Sequence, residues 1–458
     1  MSTVIAIDQN ICSGCQECTR VCPNLAIEGR PHQAQKINET KCVMCGQCVQ
    51  KCKTYVSLVE HGAGAYEKTR QERGLADTVR EPLFSAHNVC HLDEVRRALA
   101  DPNLFTIVQS APDVRVAINE DFGAPLGALA PGKLAAALRR LGFDKVFDTN
   151  FAADVTIMEE GSELIERLAK GGLLPMFTSC CPAWVRYLEL NYPELRGHLS
   201  TSKSPQQMGG ALFKTYGAKL LGQPADSIFS VSVMPCTSKQ FESGRPEMRD
   251  SGHRDVDVVI TTRELAWLLK EKGIDFPALA DEKFDSPMGD YSGAAEIFGV
   301  TGGVMEAALR TGYELIAKKA IPNVDITALR GPDSFRTAEI MAGDLKLKVG
   351  VVTGLKHVKA VLEDLKAGRL DLHMIEVMSC PQGCITGGGQ PKLIVDKDFE
   401  EACKARTAAT YQHDQEMPIR KSHENPSVQK LYSDFLEKPL GPESHKLLHT
   451  TYCGDPKH

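Results

Sequence analysis

The sequence has little that would carry it to a membrane or to nucleic acid. No apolar run reaches the length of a membrane span, so no transmembrane helix is expected. The formal net charge is −6, which leaves no basic field for nucleic acid and no polybasic patch for a lipid surface. Met1 to Asn10 lacks the basic segment followed by an apolar stretch that marks a secretory signal, so residence in the cytoplasm is expected. Phosphate loops are missing too. The glycines at Gly302–Gly303 and Gly387–Gly389 fit neither G-x-x-x-x-G-K-[ST] nor G-x-G-x-x-G. Close backbone approach to a bulky cofactor is the better use for them.

What is present is mostly ordinary. Hydrophobic residues make up 42% and charged residues 24%. A chain of 458 residues is too long for one core, so two to four domains are expected. Cysteine is the exception. Sixteen thiols without an export signal argue against a disulfide framework and for metal.

Eight of these thiols form a repeat. Cys12, Cys15, Cys18 and Cys22 read C-x2-C-x2-C-x3-C, and Cys42, Cys45, Cys48 and Cys52 repeat that spacing 30 residues later. Three closely spaced thiolates can cap one iron–sulfur cube while the fourth cysteine completes the other. Cys12, Cys15, Cys18 and Cys52 are therefore expected to hold one 4Fe–4S cluster, and Cys42, Cys45, Cys48 and Cys22 a second. Zinc knuckles are the competing reading, but zinc sites rarely use three cysteines at this pitch. Short strands are expected at Val4–Ile7, Leu25–Ile27, Gln35–Ile37 and Tyr55–Val59.

Residues 61–105 read as a polar, helical connector, with Leu92–Ala100 a clear amphipathic helix. From 106 to 395, β-branched runs alternate with helical stretches, which predicts α/β layers of mostly parallel strands. Val114–Ile118 is read as one of the strands. From 396 to 458 the strands stop, and a charged, helical, proline-punctuated tail is expected to wrap the main domain.

Eight cysteines lie outside the repeat. Cys90, Cys403 and Cys453 stand alone and read as inert thiols. The other five are Cys180 and Cys181 in TSCCP, Cys236 in MPCTSKQFE, and Cys380 and Cys384 in MSCPQGCITGGGQP. One cube takes four, so one is left over, and the adjacent pair is the place for it. Pro182 suits the first position of a helix, which sets the pair at a helix N-terminus where a thiolate is favoured. Spacing alone leaves open which of the two is free.

These three motifs, in this order behind a two-cluster ferredoxin domain, resemble the signature motifs of the iron–iron hydrogenases. The tail motifs R-K-S-H-E-N-P and S-H-K-L-L-H-T-T-Y resemble that family's small-subunit segment, here fused. The chain looks like the compact form with two accessory clusters. The resemblance implies an N-terminal α+β ferredoxin-like domain over residues 1–60. It also implies an α/β catalytic domain of two lobes, each a mostly parallel sheet flanked by helices, and a helical C-terminal wrap. It implies an H-cluster: a 4Fe–4S cube joined to a two-iron unit with carbon monoxide, cyanide and an azadithiolate bridge. By motif position Cys181, Cys236, Cys380 and Cys384 would hold this cube, leaving Cys180 as the proton-exchanging thiol. Lys239 would donate to a cyanide. Met234, Met378, Pro112, Asp113, Pro205, Gln206 and Phe298 would line the pocket, and Glu242 would brace it.

Glu160, Glu163 and Arg167 share one helical face. Taken alone that is a solvated salt-bridge face. The resemblance makes it, with Cys180 and Ser200, a proton relay. Two departures stand out: Lys53 replaces a proline usual after the second cysteine run, and Asp113 replaces a small polar residue. The implied reaction is reversible reduction of protons to dihydrogen. A ferredoxin or flavodoxin is the implied electron carrier, and dedicated maturation proteins would build the two-iron unit. A hydrogenase-like iron–sulfur assembly protein or a hydrogen sensor are the alternatives.

Overall fold

The computed structural model describes residues 4–393 and 395–452. Two four-stranded sheets form its centre. The first has the order Val258–Thr261, Ile228–Met234, Phe105–Ser110, Lys145–Asp148, all parallel. The second has the order Phe335–Ala342, Leu345–Thr353, Met374–Met378, Met176–Phe177. It is parallel except for the long hairpin Phe335–Ala342 with Leu345–Thr353. Central strands such as Val349, Val351, Val352 and Ile375, Val377 are buried on both faces, as parallel strands under helices must be.

The helix Thr149–Lys170 runs between the lobes. Asp148 caps it by accepting from the Asn150 amide at 2.9 Å, and Gly171 ends it at φ 77°. It is buried almost throughout its first four turns, including Glu159, Glu160 and Glu163. The expected strand at Val114–Ile118 is a correction. Pro112–Arg115 is a short helix, and Ile118–Phe122 a 3₁₀ turn. Pro112 opens this helix, and Val114, Val116, Ala117 and Ile118 are all fully buried. A short apolar run buried all round does not reveal its period.

The amino-terminal repeat also differs in detail. Its strands are shorter than expected: Ile5–Ile7, Ile27–Glu28, Lys36–Ile37 and Tyr55–Val56. Ser57 stops the last one by capping the helix Leu58–Glu72, accepting from the Glu60 amide at 3.2 Å. The stretch read as a helical connector contains two strands. Leu83–Phe84 pairs with Tyr55–Val56, and Ala86–Asn88 pairs with Ile5–Ile7, both antiparallel. The repeat leaves edges unpaired that this stretch then covers.

Beyond Met378 the described residues hold no further strand. The helices Asp396–Glu416, Pro426–Leu431 and Pro442–Leu448 lie along the catalytic domain. Arg310, on the helix Gly303–Ala317, is fully buried and anchors the end of the first of them. It donates to both oxygens of Asp414 at 2.8 Å, to Glu306 at 2.8 Å and to the Arg420 carbonyl at 3.0 Å. No helix among the described residues is long and apolar enough to cross a membrane. Arg310→Ala leaves Asp414 to Arg420 alone and Glu306 to Arg330 alone. It should cost about 1–3 kcal/mol of stability, read as a lower midpoint in urea; a change within experimental error would contradict the anchoring role.

Candidate metal and proton site

Parallel strands deliver their carboxyl ends to one place, where open α/β sheets hold ligands. Phe105–Ser110 leads into Pro112 and Asp113, Ile228–Met234 into Cys236, Met176–Phe177 into Cys180 and Cys181, and Met374–Met378 into Cys380. These ends from both sheets enclose a cavity of about 90 Å³. Cys181, Cys236, Cys380 and Cys384 line it with Cys180. Its remaining wall is largely apolar: Met234, Met378, Phe298, Pro112 and Pro205, with Gln206, Lys239 and Asp113. Every expected pocket residue is brought here. Among the described residues no three of these sulfurs lie within 4.8 Å of one another, so the set suits a multi-atom cluster rather than a single ion.

Burial, and then the neighbouring thiols, push Cys236 up to about 12 and Cys380 well above the ordinary range. For Cys384, burial and then Asp113 do the same. Such thiols ionise only if a cation takes their protons' place, and a metal does that. In the repeat, burial raises Cys18, Cys42, Cys45 and Cys48 in the same way. Cys12, Cys15, Cys18 and Cys52 face one small cavity near the surface, with Cys15 exposed. Cys42, Cys48 and Cys22 cluster deeper, and Cys45 of that set also lines the large cavity. Cys90 and Cys403 lie apart from all three groups, each held up by burial. Cys453 lies outside the described residues.

The polar wall is tightly bonded. Lys239 Nζ donates to the Cys180 carbonyl at 3.0 Å and to Glu242 at 2.9 Å. An ammonium has three donors, so one is left for the cavity. Burial opposes the charge of Lys239, but Glu242 and the thiols of Cys236 and Cys180 outweigh it and raise its pKa. Glu242 also accepts from Ser204 at 2.9 Å and Gln206 at 3.2 Å, so it braces two cavity groups, Lys239 and Gln206, at once. Asp113 has a buried oxygen with no hydrogen-bond partner, and burial pushes its pKa up to about 7. Its carboxyl packs against Gly299 so closely that any Cβ there would collide.

The polar chain begins at Cys180. Glu160 is the first of its charged neighbours, fully buried, and neither of its oxygens has a hydrogen-bond partner of standard geometry. Burial first, then the Glu163 carboxylate, push Glu160 up to about 8, while Ser200 and Ser179 nearby moderate the rise. Ser200 Oγ donates to Glu163 Oε2 at 2.8 Å. Arg167 grips Glu163 Oε1 through two nitrogens at 2.6 and 3.1 Å and reaches toward solvent with 13% of its side chain exposed. Cys180, Glu160, Ser200, Glu163 and Arg167 thus form one file from the cavity to the surface.

Several cavity neighbours were not singled out from the sequence. Ser379 stands 3.0 Å from the Cys181 sulfur. Glu376, two residues before Met378 and so on the same strand face, faces both Cys180 and Glu160. It accepts from the amides of Gly302 at 2.6 Å and Met305 at 2.8 Å. The glycine runs need a correction. A Cβ at Gly388 would lie 2.6 Å from Gly46 Cα, and one at Gly389 2.8 Å from Thr261. Gly302 and Gly303 crowd the carbonyls of Leu329 and Ile297. These glycines permit backbone to meet backbone; of the five, only Gly387 also lines the cavity.

Three family models match the chain. Residues 105–388 match the iron only hydrogenase large subunit, C-terminal domain; residues 400–454 the iron hydrogenase small subunit; and residues 4–53 a 4Fe-4S dicluster domain. The chain is 49% identical over 432 residues to the NADP-reducing hydrogenase subunit HndD of Solidesulfovibrio fructosivorans, covering 90% of this chain and 73% of that one. It is 41% identical to iron hydrogenase 1 of Clostridium pasteurianum, covering 91% and 75%. The FeFe-hydrogenase HydA1 from Chlamydomonas reinhardtii superposes with a TM-score of 0.69 at 41% identity, over 78% of this chain and 98% of that one.

The state of Glu160 has a measurable consequence. Its carboxyl keeps its proton to about pH 8 when folded but loses it near the ordinary 4.5 when unfolded. Between those values the folded state binds the extra proton, so stability falls as pH rises through the window. Glu160→Gln should flatten that fall in thermal melts; parallel curves would contradict a buried, protonated Glu160.

Proposed function

Because the chain belongs to the iron-only hydrogenase family, we propose that it reduces protons reversibly to dihydrogen, with Cys180 as the group that exchanges protons at the metal site. The observation that carries this reading is the file Cys180, Glu160, Ser200, Glu163 and Arg167 leading from a four-cysteine cavity toward the surface, hydrogen-bonded from Ser200 outward, with the buried Glu160 between it and Cys180. Cys12, Cys15, Cys18 and Cys52 would hold the outer 4Fe–4S cube, and Cys42, Cys45, Cys48 and Cys22 the inner one. Cys181, Cys236, Cys380 and Cys384 would hold the cube of the H-cluster. When bound, these groups store and deliver electrons and supply the bond-making chemistry.

The chain's own residues do the rest. Glu160 holds a proton near neutral pH because the dry interior penalises its charge. Glu163 is kept ready to receive one at Oε2 by Arg167 on its other oxygen. The Ser200 hydroxyl, bonded to Glu163 Oε2, is placed to pass a proton inward to Glu160, and Cys180 Sγ is the last group before the cavity. Lys239 offers its remaining donor to an anionic ligand in the cavity, with Glu242 fixing its direction. Met234, Met378 and Phe298 exclude water from the same wall.

A soluble carrier of the ferredoxin or flavodoxin class fits as electron partner, since Cys15 is exposed at the outer cube's cavity. The assembly-protein alternative is disfavoured by Cys180, Lys239 and the whole relay standing at one cavity.

Cys180→Ala should bind the full iron complement yet lower turnover by about 10²–10⁴-fold, the usual weight of a positioned acid–base group. Undiminished hydrogen evolution by that variant would sink the assignment. Infrared spectra of protein made with the maturation proteins should carry bands of metal-bound carbon monoxide and cyanide. Protein made without them should carry cubes only, and an absence of bands in both would favour the assembly reading.

A further inference from the structure

The relay has a branch. Glu163 Oε2, which accepts from Ser200, also accepts from the Thr201 hydroxyl at 3.2 Å and the Thr201 amide at 2.9 Å. Thr201 Oγ1 lies 2.8 Å from Nδ1 of His449, a buried histidine of the C-terminal tail. On its far side His449 Nε2 stands 3.0 Å from Glu159 Oε2. That same oxygen accepts from the Leu440 amide at 2.8 Å, and its partner oxygen accepts from Tyr432 at 2.6 Å. Burial and Glu159 hold the Tyr432 hydroxyl well above its ordinary pKa, so it remains a donor. Glu159 is therefore bonded as a carboxylate, and His449 Nε2 donates to it.

This leaves two proton arrangements. A hydroxyl has one proton to give. With His449 neutral, Thr201 donates to Nδ1 and gives nothing to Glu163. With His449 protonated, Nδ1–H donates to Thr201 Oγ1, and the Thr201 proton turns to Glu163. Moving between them breaks the Glu163 O–H bond, forms and breaks one O–H bond on Thr201, and forms the Nδ1–H bond of His449. No electron moves, and a neutral pair becomes a carboxylate and an imidazolium.

We propose that His449 is a proton-holding side branch of the relay, taking a proton from Glu163 through the Thr201 hydroxyl and keeping it beside Glu159. It is a positioning residue, acting on the site only through Glu163. The inference rests on the relay reading above, and its use follows from stoichiometry: dihydrogen takes two protons, while Glu163 Oε2 holds one. The charged and titratable groups facing His449 are Glu159 and, through Thr201, Glu163, both on the helix Thr149–Lys170. Tyr432 stands behind Glu159. His445, on the tail helix Pro442–Leu448 that ends just before His449, has its ring centroid 4.6 Å away and is exposed.

The test uses the matured holoenzyme with a reduced dye as electron donor, comparing wild type with Thr201→Val, Thr201→Ser, His449→Gln and Glu163→Gln. The infrared carboxyl band of Glu163 is assigned by its loss in Glu163→Gln. It should persist to higher pH in Thr201→Val and His449→Gln, because Glu163 can no longer hand its proton on. The alkaline limb of the hydrogen-evolution profile should shift in both, while Thr201→Ser keeps the wild-type band and profile. A Glu163 band titrating identically in wild type, Thr201→Val and Thr201→Ser would overturn the branch. Full turnover by Glu163→Gln would overturn the relay reading itself, and the branch with it. Should His449→Gln fail to fold, the two threonine variants decide alone.

Discussion

Crowded thiols in a dry interior are the constraint around which this molecule is arranged. Cys45, Cys48, Cys380 and Cys384 are each enclosed and set among other thiols, and burial raises their pKa values with the neighbours adding to it. Lys239, the one ammonium lining the large cavity among the described residues, relieves that penalty only in part, at Cys236 and Cys180, and burial still wins there. Iron–sulfur clusters relieve it by replacing protons with cations. The ends of both sheets meet at thiols, so the cohesion of the two lobes and the loading of the cofactor are one process.

Charge of the two kinds arrives by different faces. The cubes' cysteines approach from the amino-terminal repeat, whose second half lies on the catalytic domain through backbone contacts. Gln50 donates to the carbonyls of Gly387 and Gln390, and Thr237 and Ser238 donate to those of Met44 and Val43. The polar file approaches along the helix Thr149–Lys170. Between them stands a wall largely of Met234, Met378, Phe298, Pro112 and Pro205.

Legibility in the sequence followed distance along the chain. The cysteine repeat was readable because its ligands recur at fixed short spacing, and counting five further thiols already implied four ligands and a spare. The helix at Pro112 was missed because burial on all sides erases the periodicity that separates helix from strand. Within the glycine run, Gly387 does line the cavity, but Gly388 and Gly389 were assigned the wrong neighbour. That of Gly388, Gly46, is more than 340 positions away and has no side chain to leave a pattern. Glu160, Glu163 and Arg167 look like any solvated helical face, and only the motifs elsewhere gave them a role. Ser379, Glu376 and Thr201 carry no spacing at all; they matter through contacts that only the fold creates.

The meeting of Gly388 with Gly46 bears on how freely such chains can be recombined. The amino-terminal unit looks like a detachable cassette, matched by its own family model. Yet it contributes Cys45 to the catalytic cavity and fits against a surface with no room for a methyl group. A foreign cassette would have to bring a glycine to that one position and a cysteine beside it, or leave the chamber with a missing wall. Any cassette seated here must therefore keep a bare α-carbon against both Gly388 and the Thr237 side chain.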